Sequence, residues 1–337
     1  MLITRTPFRI TLGGGGTDLS SYYSRYGGLI FSFTLDKYMY ITIKKAFADD
    51  LIRVQYSKSE TVSKINDIQH EIAKACLIKT GINKGIEIAS LADIPSGTGL
   101  GSSSTYTVGL LSALHTIKRD FISLKDLAEE ACEIEIDILK KPMGKQDQYL
   151  ATFGGFLILN IAQNGNVKVS NANISSSTIN GLKQNLLIFY TGQRRQNSQI
   201  LGEQDTATKN NEKDVLESLH YIKESGYKIL DIVESGKITE LGIMFDEHWK
   251  YKKKMAKGIS SPDLDAIYEL AKENGAIGGK VSGAGGGGFF TLYCEDKQTQ
   301  LRSAMAKAGL RELNYNFDFE GTKVIGNFMS YSPDTII

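Results

Sequence analysis

The segment Asp93–Thr107, DIPSGTGLGSSSTYT, holds residue types that can bind phosphate. Three alternating glycines, Gly97, Gly99 and Gly101, flank Leu100 and let the backbone bend sharply and approach a ligand closely. Ser102, Ser103 and Ser104 follow, and TYTVGLLSALHTI after them has the apolar spacing of a helix. Upstream, GIEIAS at 85–90 alternates like a strand. Strand, glycine loop and helix start together present free N–H groups and the positive end of a dipole to an anion. The serines can cap the helix, touch phosphate oxygens or ligate Mg²⁺. No Lys follows Gly101, so this is not a Walker loop, and the G-x-G-x-G spacing is not the dinucleotide fingerprint.

Two more glycine clusters lie near the ends of the chain. The first, Gly13 to Gly16, follows TPFRITL and precedes Thr17 and Asp18. The second, KVSGAGGGGFF, runs from Lys280 to Phe290 and holds more glycine than a turn needs. That surplus implies close approach of backbone to a ligand or to another domain.

The elements that would carry these loops fall into two blocks. MLITRTPFRITL, LIFSFTL and YMYITIKKAF read as strands, residues 66–80 as a helix, and a helix begins at Ser123, which has capping-box spacing to Asp126. FGGFLILNI and NVKVSNANI read as strands around an Asn-Gly turn at 164–165. NLLIFYT at 185–191 reads as a buried strand, and 204–258 as charged helix. A capped helix ending at Gly275, the strand GGFFTLYCE, a helix at 297–308 and a last pair of strands in NYNFDFEGTKVIGNF complete the chain. Strands and helices in blocks predict an α+β fold rather than a doubly wound parallel sheet. The boundary is expected between about 160 and 180, which gives domains of 1–170 and 171–337.

At 337 residues, 41% hydrophobic and 23% charged, the chain is long enough for two cores. A net charge of +1 gives no electrostatic case for nucleic acid or an anionic membrane. No signal-peptide pattern or membrane-length apolar run is evident, and Cys76, Cys132 and Cys294 are scattered, so a cytoplasmic protein is expected.

With three glycine motifs in this order, the chain resembles the GHMP small-molecule kinases, the family of galactokinase, homoserine kinase, mevalonate kinase and phosphomevalonate kinase. TPFRITLGGGGTD, PSGTGLGSSS and KVSGAGGGGFF stand in the places of the family's three motifs. The resemblance implies a two-domain α+β fold. Its N-terminal half would be like ribosomal S5 domain 2, its C-terminal half would be ferredoxin-like, and ATP and acceptor would meet in the cleft. It implies that Gly97, Gly99, Leu100, Gly101, Ser102, Ser103 and Ser104 cradle the ATP phosphates, and that Ser103 reaches Mg²⁺. It also implies that Asp147, in KPMGKQDQYLATFGG, is the general base, with Arg9 beside it to keep it ionised and steady the transferring charge.

The family's Mg²⁺ carboxylate lies on the preceding helix, where Glu133, Glu135 and Asp137 compete. Leu127, Ala131, Ile134 and Ile138 form one stripe of an α-helix. At ~100° per residue Glu135 falls roughly 80° from its centre and Glu133 roughly 120° away on the other side. Glu135 is therefore the expected ligand.

Asp18 ends the first motif, where sugar kinases bind acceptor hydroxyls. Galactokinases have Gly-Glu-His-Thr-Asp there, whereas this chain has GGGTD. The bare glycines suit a bulkier or more anionic acceptor, with Gly14, Gly15, Thr17, Gly285 and Gly286 as further contacts. The start PFRITLGGGGTDL, the segment GKQDQ and the stretch TGQRRQNSQIL are similar to the D-glycero-D-manno-heptose 7-phosphate kinases. Those enzymes phosphorylate the anomeric hydroxyl of a sugar phosphate, on the way to nucleotide-activated heptose for bacterial surface glycans. Fucokinase domains are the nearest alternative, and a non-catalytic sensor of the same fold is a remote one. A sugar phosphate needs a basic clamp, for which Arg194, Arg195 and Lys145 are the candidates. A monomer or homodimer is expected.

Overall fold

The computed structural model describes residues 1–192 and 197–329. Strand β1 (Leu2–Gly13) leads through a short helix α1 (Ser20–Tyr26) into β2 (Gly28–Lys45). A hairpin of β3 (Ile52–Gln55) and β4 (Ser59–Val62) precedes α2 (Glu71–Thr80), β5 (Ile86–Ala92) and α3 (Ser102–Lys118). Helix α4 (Leu124–Cys132) continues into a π-helical turn at Glu133–Ile138, followed by α5 (Gln146–Phe153), β6 (Phe156–Ile161) and β7 (Val167–Asn171). The rest comprises α6 (Ser176–Asn185), β8 (Leu186–Tyr190), α7 (Asn197–Lys209), α8 (Lys213–Ser235), α9 (Leu241–Lys252), α10 (Pro262–Glu273), β9 (Gly278–Val281), β10 (Phe289–Tyr293), α11 (Gln298–Lys307), β11 (Arg311–Glu312), β12 (Phe317–Asp318) and β13 (Lys323–Asn327). No helix among the described residues is long and apolar enough to cross a membrane.

These elements make an α+β molecule with two sheets. The first runs β13-β1-β2-β5-β3-β4, with β6 and β12 joined along β2 and β7 added to β6. The stretch expected as two strands is one 18-residue strand, β2. It is long enough to pair with β1 on one side and with β6, then β5, on the other. The second sheet is antiparallel, in the order β11-β8-β10-β9.

The last two strands, both expected from the sequence, do not pair with each other. The Asp318 carboxylate accepts the N–H groups of Glu320 and Gly321, at 3.1 and 2.9 Å, and turns the chain between them. β12 then adds to β2, and β13 covers the open edge of β1. A division of the chain at 170/171 therefore leaves the final strands on the sheet of the first half.

Helix α3 lies against β1 and β2 with nearly all of Ser104–Leu114 buried, as expected for a helix apolar on most faces. Gly109 lets it approach, since a Cβ there would sit 2.7 Å from Thr6 Oγ1. A second core surrounds Trp249 and Phe290, between the second sheet and the helices α7–α11. Ser123 caps α4 by accepting the Asp126 N–H at 3.1 Å, as its spacing predicts.

Glycines of the KVSGAGGGGFF cluster serve the contact between the halves. A Cβ on Gly283 would lie 2.7 Å from Gly99 Cα, one on Gly99 would lie 2.7 Å from the Ser282 carbonyl, and one on Gly288 would overlap the Thr98 carbonyl. Two glycine loops thus meet backbone to backbone. This generates a comparison within one loop. Gly97 and Gly99 both have positive φ, but a Cβ on Gly97 meets nothing within 4 Å. Gly97→Ala should cost about 1–2 kcal/mol, the strain of the left-handed conformation. Gly99→Ala should cost clearly more in chemical denaturation, because it also separates the loops. Equal costs would show that the loop contact contributes nothing.

Candidate functional site

Strand β1 shifts register against β2 between Pro7 and Arg9 and again between Thr11 and Gly13. Such irregularities re-aim side chains. Arg9 and Thr11, two apart on one face, both line a cavity of about 90 Å³ between the halves, while Ile10 enters the core. Asp147 stands in the first turn of α5, where the helix dipole favours an acidic group. The elements read from the sequence include no helix here; the structure gives Asp147 a helix N-terminus.

Arg9 grips Asp147 bidentately, Nε to Oδ1 at 2.7 Å and Nη2 to Oδ2 at 2.8 Å. Its Nη1 donates to the Gly99 carbonyl at 2.6 Å. Gly101 completes the junction: its φ is 88°, and a Cβ there would lie 3.3 Å from Asp147 Oδ2. It starts α3, whose Ser102, Ser103 and Ser104 N–H groups have no acceptor one turn back. The glycine loop therefore offers an anion cradle next to the Arg9–Asp147 pair.

Asp18 faces the same cavity. Its carboxylate accepts from the N–H groups of Gln146 (3.1 Å) and Gly16 (3.2 Å) and from Gln146 Nε2 (3.3 Å). Burial pushes its pKa up to about 6; the Gln146 N–H opposes the rise and the nearby Asp147 charge adds to it. Gly144 must be glycine here, because a Cβ would overlap the Asp18 carboxylate.

Glu135 is fully buried, whereas Glu133 is exposed and pairs with Lys79 at 2.7 Å. The sequence placed Glu135 by α-helical geometry. The segment is instead π-helical, which changes the angular spacing and leaves Ile138, expected in the buried stripe, exposed. Glu135 accepts from Ser103 Oγ and from Gln148 Nε2, the latter at 2.8 Å. Lys141 Nζ lies 2.9 Å from Ser103 Oγ and 3.4 Å from Glu135 Oε1. One carboxylate and one hydroxyl, already attended by a cation, are oxygen donors that fit Mg²⁺, which commonly takes few protein ligands and fills its shell with water and phosphate. Among the described residues no cluster of three or more His, Cys, Asp or Glu could hold a metal by itself.

Other expected residues are placed elsewhere. Of the N-terminal glycine run, Gly15 and Gly16 line the cavity; Gly14 is wedged against the Leu29 carbonyl. The Thr17 hydroxyl is taken by backbone: it lies 2.8 Å from both the Gly14 and Leu29 carbonyl oxygens, to one of which it donates, and it accepts the Leu29 N–H at 3.1 Å. Lys145 turns away to Glu129 at 2.9 Å and the Gly165 carbonyl at 3.0 Å, and does not line the cavity. Gly285 and Gly286 pack against Ile259, with the Gly286 N–H donating to its carbonyl at 2.8 Å. The Leu100 side chain is in the core, and Gly97 and the three serines lie outside the cavity lining. Arg194 and Arg195 lie outside the described residues.

The opposite wall holds groups the sequence reading missed: Gln204, His248, Lys252 and Lys280. Lys252 Nζ donates to the Val281 and Gly283 carbonyls at 2.7 and 2.6 Å, and Lys280 Nζ donates to the Leu12 carbonyl. Burial, with Arg9 nearby, lowers the Lys252 pKa to about 7; burial and Lys252 push Lys280 well down. Lys252 had a legible signal. It continues the buried stripe Leu241, Phe245, His248, Trp249 at helical spacing, although the surrounding KYKKK looks like a solvated run.

The chain matches the GHMP kinases N terminal domain over residues 66–155 and the GHMP kinases C terminal domain over 229–310. It is 31% identical to a D-glycero-alpha-D-manno-heptose 7-phosphate kinase of Campylobacter jejuni, across 95% of this chain and 97% of that one. It is 27% identical to an L-fucokinase/L-fucose-1-P guanylyltransferase of Bacteroides fragilis, across 88% of this chain but 35% of that longer protein. Among solved structures, a sugar kinase structure from Campylobacter jejuni described as putative superposes with a TM-score of 0.77 at 29% identity, covering 96% of this chain and 97% of that one. A D-glycero-D-manno-heptose 1-phosphate kinase from Bacteroides thetaiotaomicron has the same fold, with a TM-score of 0.78 at 24% identity over 98% and 100% of the two chains.

The raised pKa of Asp18 makes a stability test. The folded chain holds this proton more tightly than the unfolded one, so stability falls as pH rises from about 4 to about 6 and the deficit persists above. Two pKa units correspond to about 3 kcal/mol at most. Asp18→Asn should therefore be more stable than wild type at pH 7.5 in urea titrations, and the gain should disappear below pH 4. A variant no more stable at pH 7.5 would contradict this reading of Asp18.

Proposed function

The chain belongs to the GHMP kinase family and is a sugar kinase of that family, a phosphotransferase; from that premise we propose that it moves the γ-phosphoryl group of ATP to the anomeric hydroxyl of D-glycero-D-manno-heptose 7-phosphate. The product is the 1,7-bisphosphate, an intermediate toward nucleotide-activated heptose for surface glycans. The observation that carries the reading is the Arg9–Asp147 pair, held between the helix start at Gly101 and the Asp18 carboxylate. The 31% identity to a heptose 7-phosphate kinase supports this acceptor over others.

In this reading the anomeric hydroxyl approaches Asp147, which takes its proton as the oxygen attacks phosphorus. The new O–P bond forms as the bond to the ADP oxygen breaks. Both Asp147 oxygens bond Arg9, and each retains a second lone pair for the incoming hydroxyl. Arg9 fixes the carboxylate and adds positive charge where charge builds on the transferring group. The N–H groups of Ser102, Ser103 and Ser104 cradle ATP phosphates at the start of α3. Ser103 and Glu135 would hold Mg²⁺, which supplies charge neutralisation on the nucleotide phosphates. Asp18 accepts hydroxyl hydrogen bonds from the sugar. Arg194 and Arg195 are the cations that the sequence nominates for the acceptor's phosphate.

Asp147→Asn should lose turnover about 10²–10⁴-fold in a coupled ADP assay, because an amide cannot take the proton. Near-wild-type turnover would remove Asp147 from the base role. The metal assignment is checked separately: Glu135→Gln should raise the Mg²⁺ concentration needed for half-maximal rate far more than Glu133→Gln. Equal shifts would mean that Glu135 is no ligand. Heptose 7-phosphate should be used in preference to unphosphorylated heptose, fucose and galactose. A preference for fucose or the unphosphorylated sugar would overturn the acceptor but not the kinase.

A further inference from the structure

The two walls of the cavity carry opposite charge. The N-terminal wall brings the carboxylates of Asp18 and Asp147, the second already paired with Arg9. The C-terminal wall brings the ammonium groups of Lys252 and Lys280, 9% and 4% exposed, and no carboxylate among the described residues pairs with either. Their hydrogen bonds go only to carbonyls, Lys252 through two of its three donors and Lys280 through one, and Lys280 Nζ also lies over the Phe245 ring, 5.0 Å from its centroid. Beside them Gln204 is 3% exposed, and its Nε2 has no hydrogen-bond partner. Buried cations without anions are costly, as is a buried donor without an acceptor. The depressed pKa of Lys252 expresses that cost, with burial its first cause. A wall with free donors, two lysines that an anion would hold protonated, and no acid is complementary to a doubly charged phosphate.

We propose that Lys252 and Lys280, with the Gln204 amide, form a receptor for the phosphate monoester of the acceptor, opposite the wall on which Asp18 and Asp147 meet its hydroxyls. This rests on the sugar-phosphate reading above and adds a receptor to the arginines nominated by the sequence. A sugar phosphate then lies across the cavity with its charged end on β9 and α9 and its reacting end toward α5. A sugar without the phosphate leaves both lysines without an anion. The pair therefore selects for phosphorylated acceptors, as well as binding them.

The experiment compares wild type, Lys252→Met, Lys280→Met and the double change Arg194→Met with Arg195→Met. For each, kcat/KM is measured with heptose 7-phosphate and with unphosphorylated heptose, together with KM for ATP. Each lysine variant should lose about 10–100-fold with the phosphorylated sugar, keep its rate with the unphosphorylated one within about threefold, and leave KM for ATP nearly unchanged. Inorganic phosphate should inhibit wild type competitively against the acceptor, and this inhibition should weaken in both lysine variants. Thermal unfolding establishes that each variant folds; if one does not, the other carries the test. Equal losses on both sugars would mean that the lysines act on the transferring group or the fold, and would overturn the proposal. So would a preference that survives both lysine changes and vanishes only in the arginine variant. Wild type preferring the unphosphorylated sugar is a separate outcome: it defeats the sugar-phosphate acceptor, while inhibition by inorganic phosphate still reads the anion site directly.

Discussion

The guanidinium of Arg9 joins three parts of the chain that are far apart in sequence. Two of its nitrogens hold Asp147 at the start of α5, and the third holds the Gly99 carbonyl in the glycine loop. The side chain is only 6% exposed, so these bonds form where water competes little. Removing one partner of a buried pair typically costs about 3–5 kcal/mol, because the other charge is left alone. The fork also sets direction. A planar guanidinium fixes the plane of the carboxylate it grips, which a lysine could not do. The distance from Asp147 to the helix start at Gly101 follows from that grip.

The glycine contact extends the same constraint to the second half. Gly99 is bonded to Arg9 on one side and pressed against Ser282 and Gly283 on the other. The wall carrying Lys252 and Lys280 is thereby registered against the wall carrying Asp18 and Asp147. A separate polar group stands behind the helix start, where Lys141 attends Ser103 and Glu135. Its ammonium balances the buried Glu135 carboxylate, an arrangement a divalent cation and nucleotide phosphates would have to displace or share.

Much of this was legible in the sequence where a residue type permits little else. The glycine loop before α3, the glycine-rich approach to Asp18 and the clustered glycines after Lys280 all mark close backbone contact, and the cluster after Lys280 proved to meet the loop before α3. Asp147 could not have been found by spacing alone; the family resemblance singled it out, and even then its helix was missed because GKQDQYLATF is short and weakly periodic. The choice of Glu135 over Glu133 came out as the buried acid, yet the α-helical wheel behind it does not describe a π-turn. Lys145 was misread because its partner Glu129 lies on another helix, and nothing local reveals that pairing. Lys252 was missed because a lysine among lysines looks solvated, while tertiary packing alone decides which one is buried. β12 and β13 look like a hairpin locally; the open edge of β1 and the flank of β2 compete for them and win.

The central claim is that Arg9 and Asp147 act as one unit in phosphoryl transfer. A double-mutant cycle on kcat tests it most directly, using Arg9→Met, Asp147→Asn and the two together, with ATP affinity and folding measured for each. If the pair is one unit, each single change removes most of the rate, and the double variant is no slower than Asp147→Asn alone. If the two losses multiply instead, the residues contribute independently, and the account of the site built on their pairing is wrong.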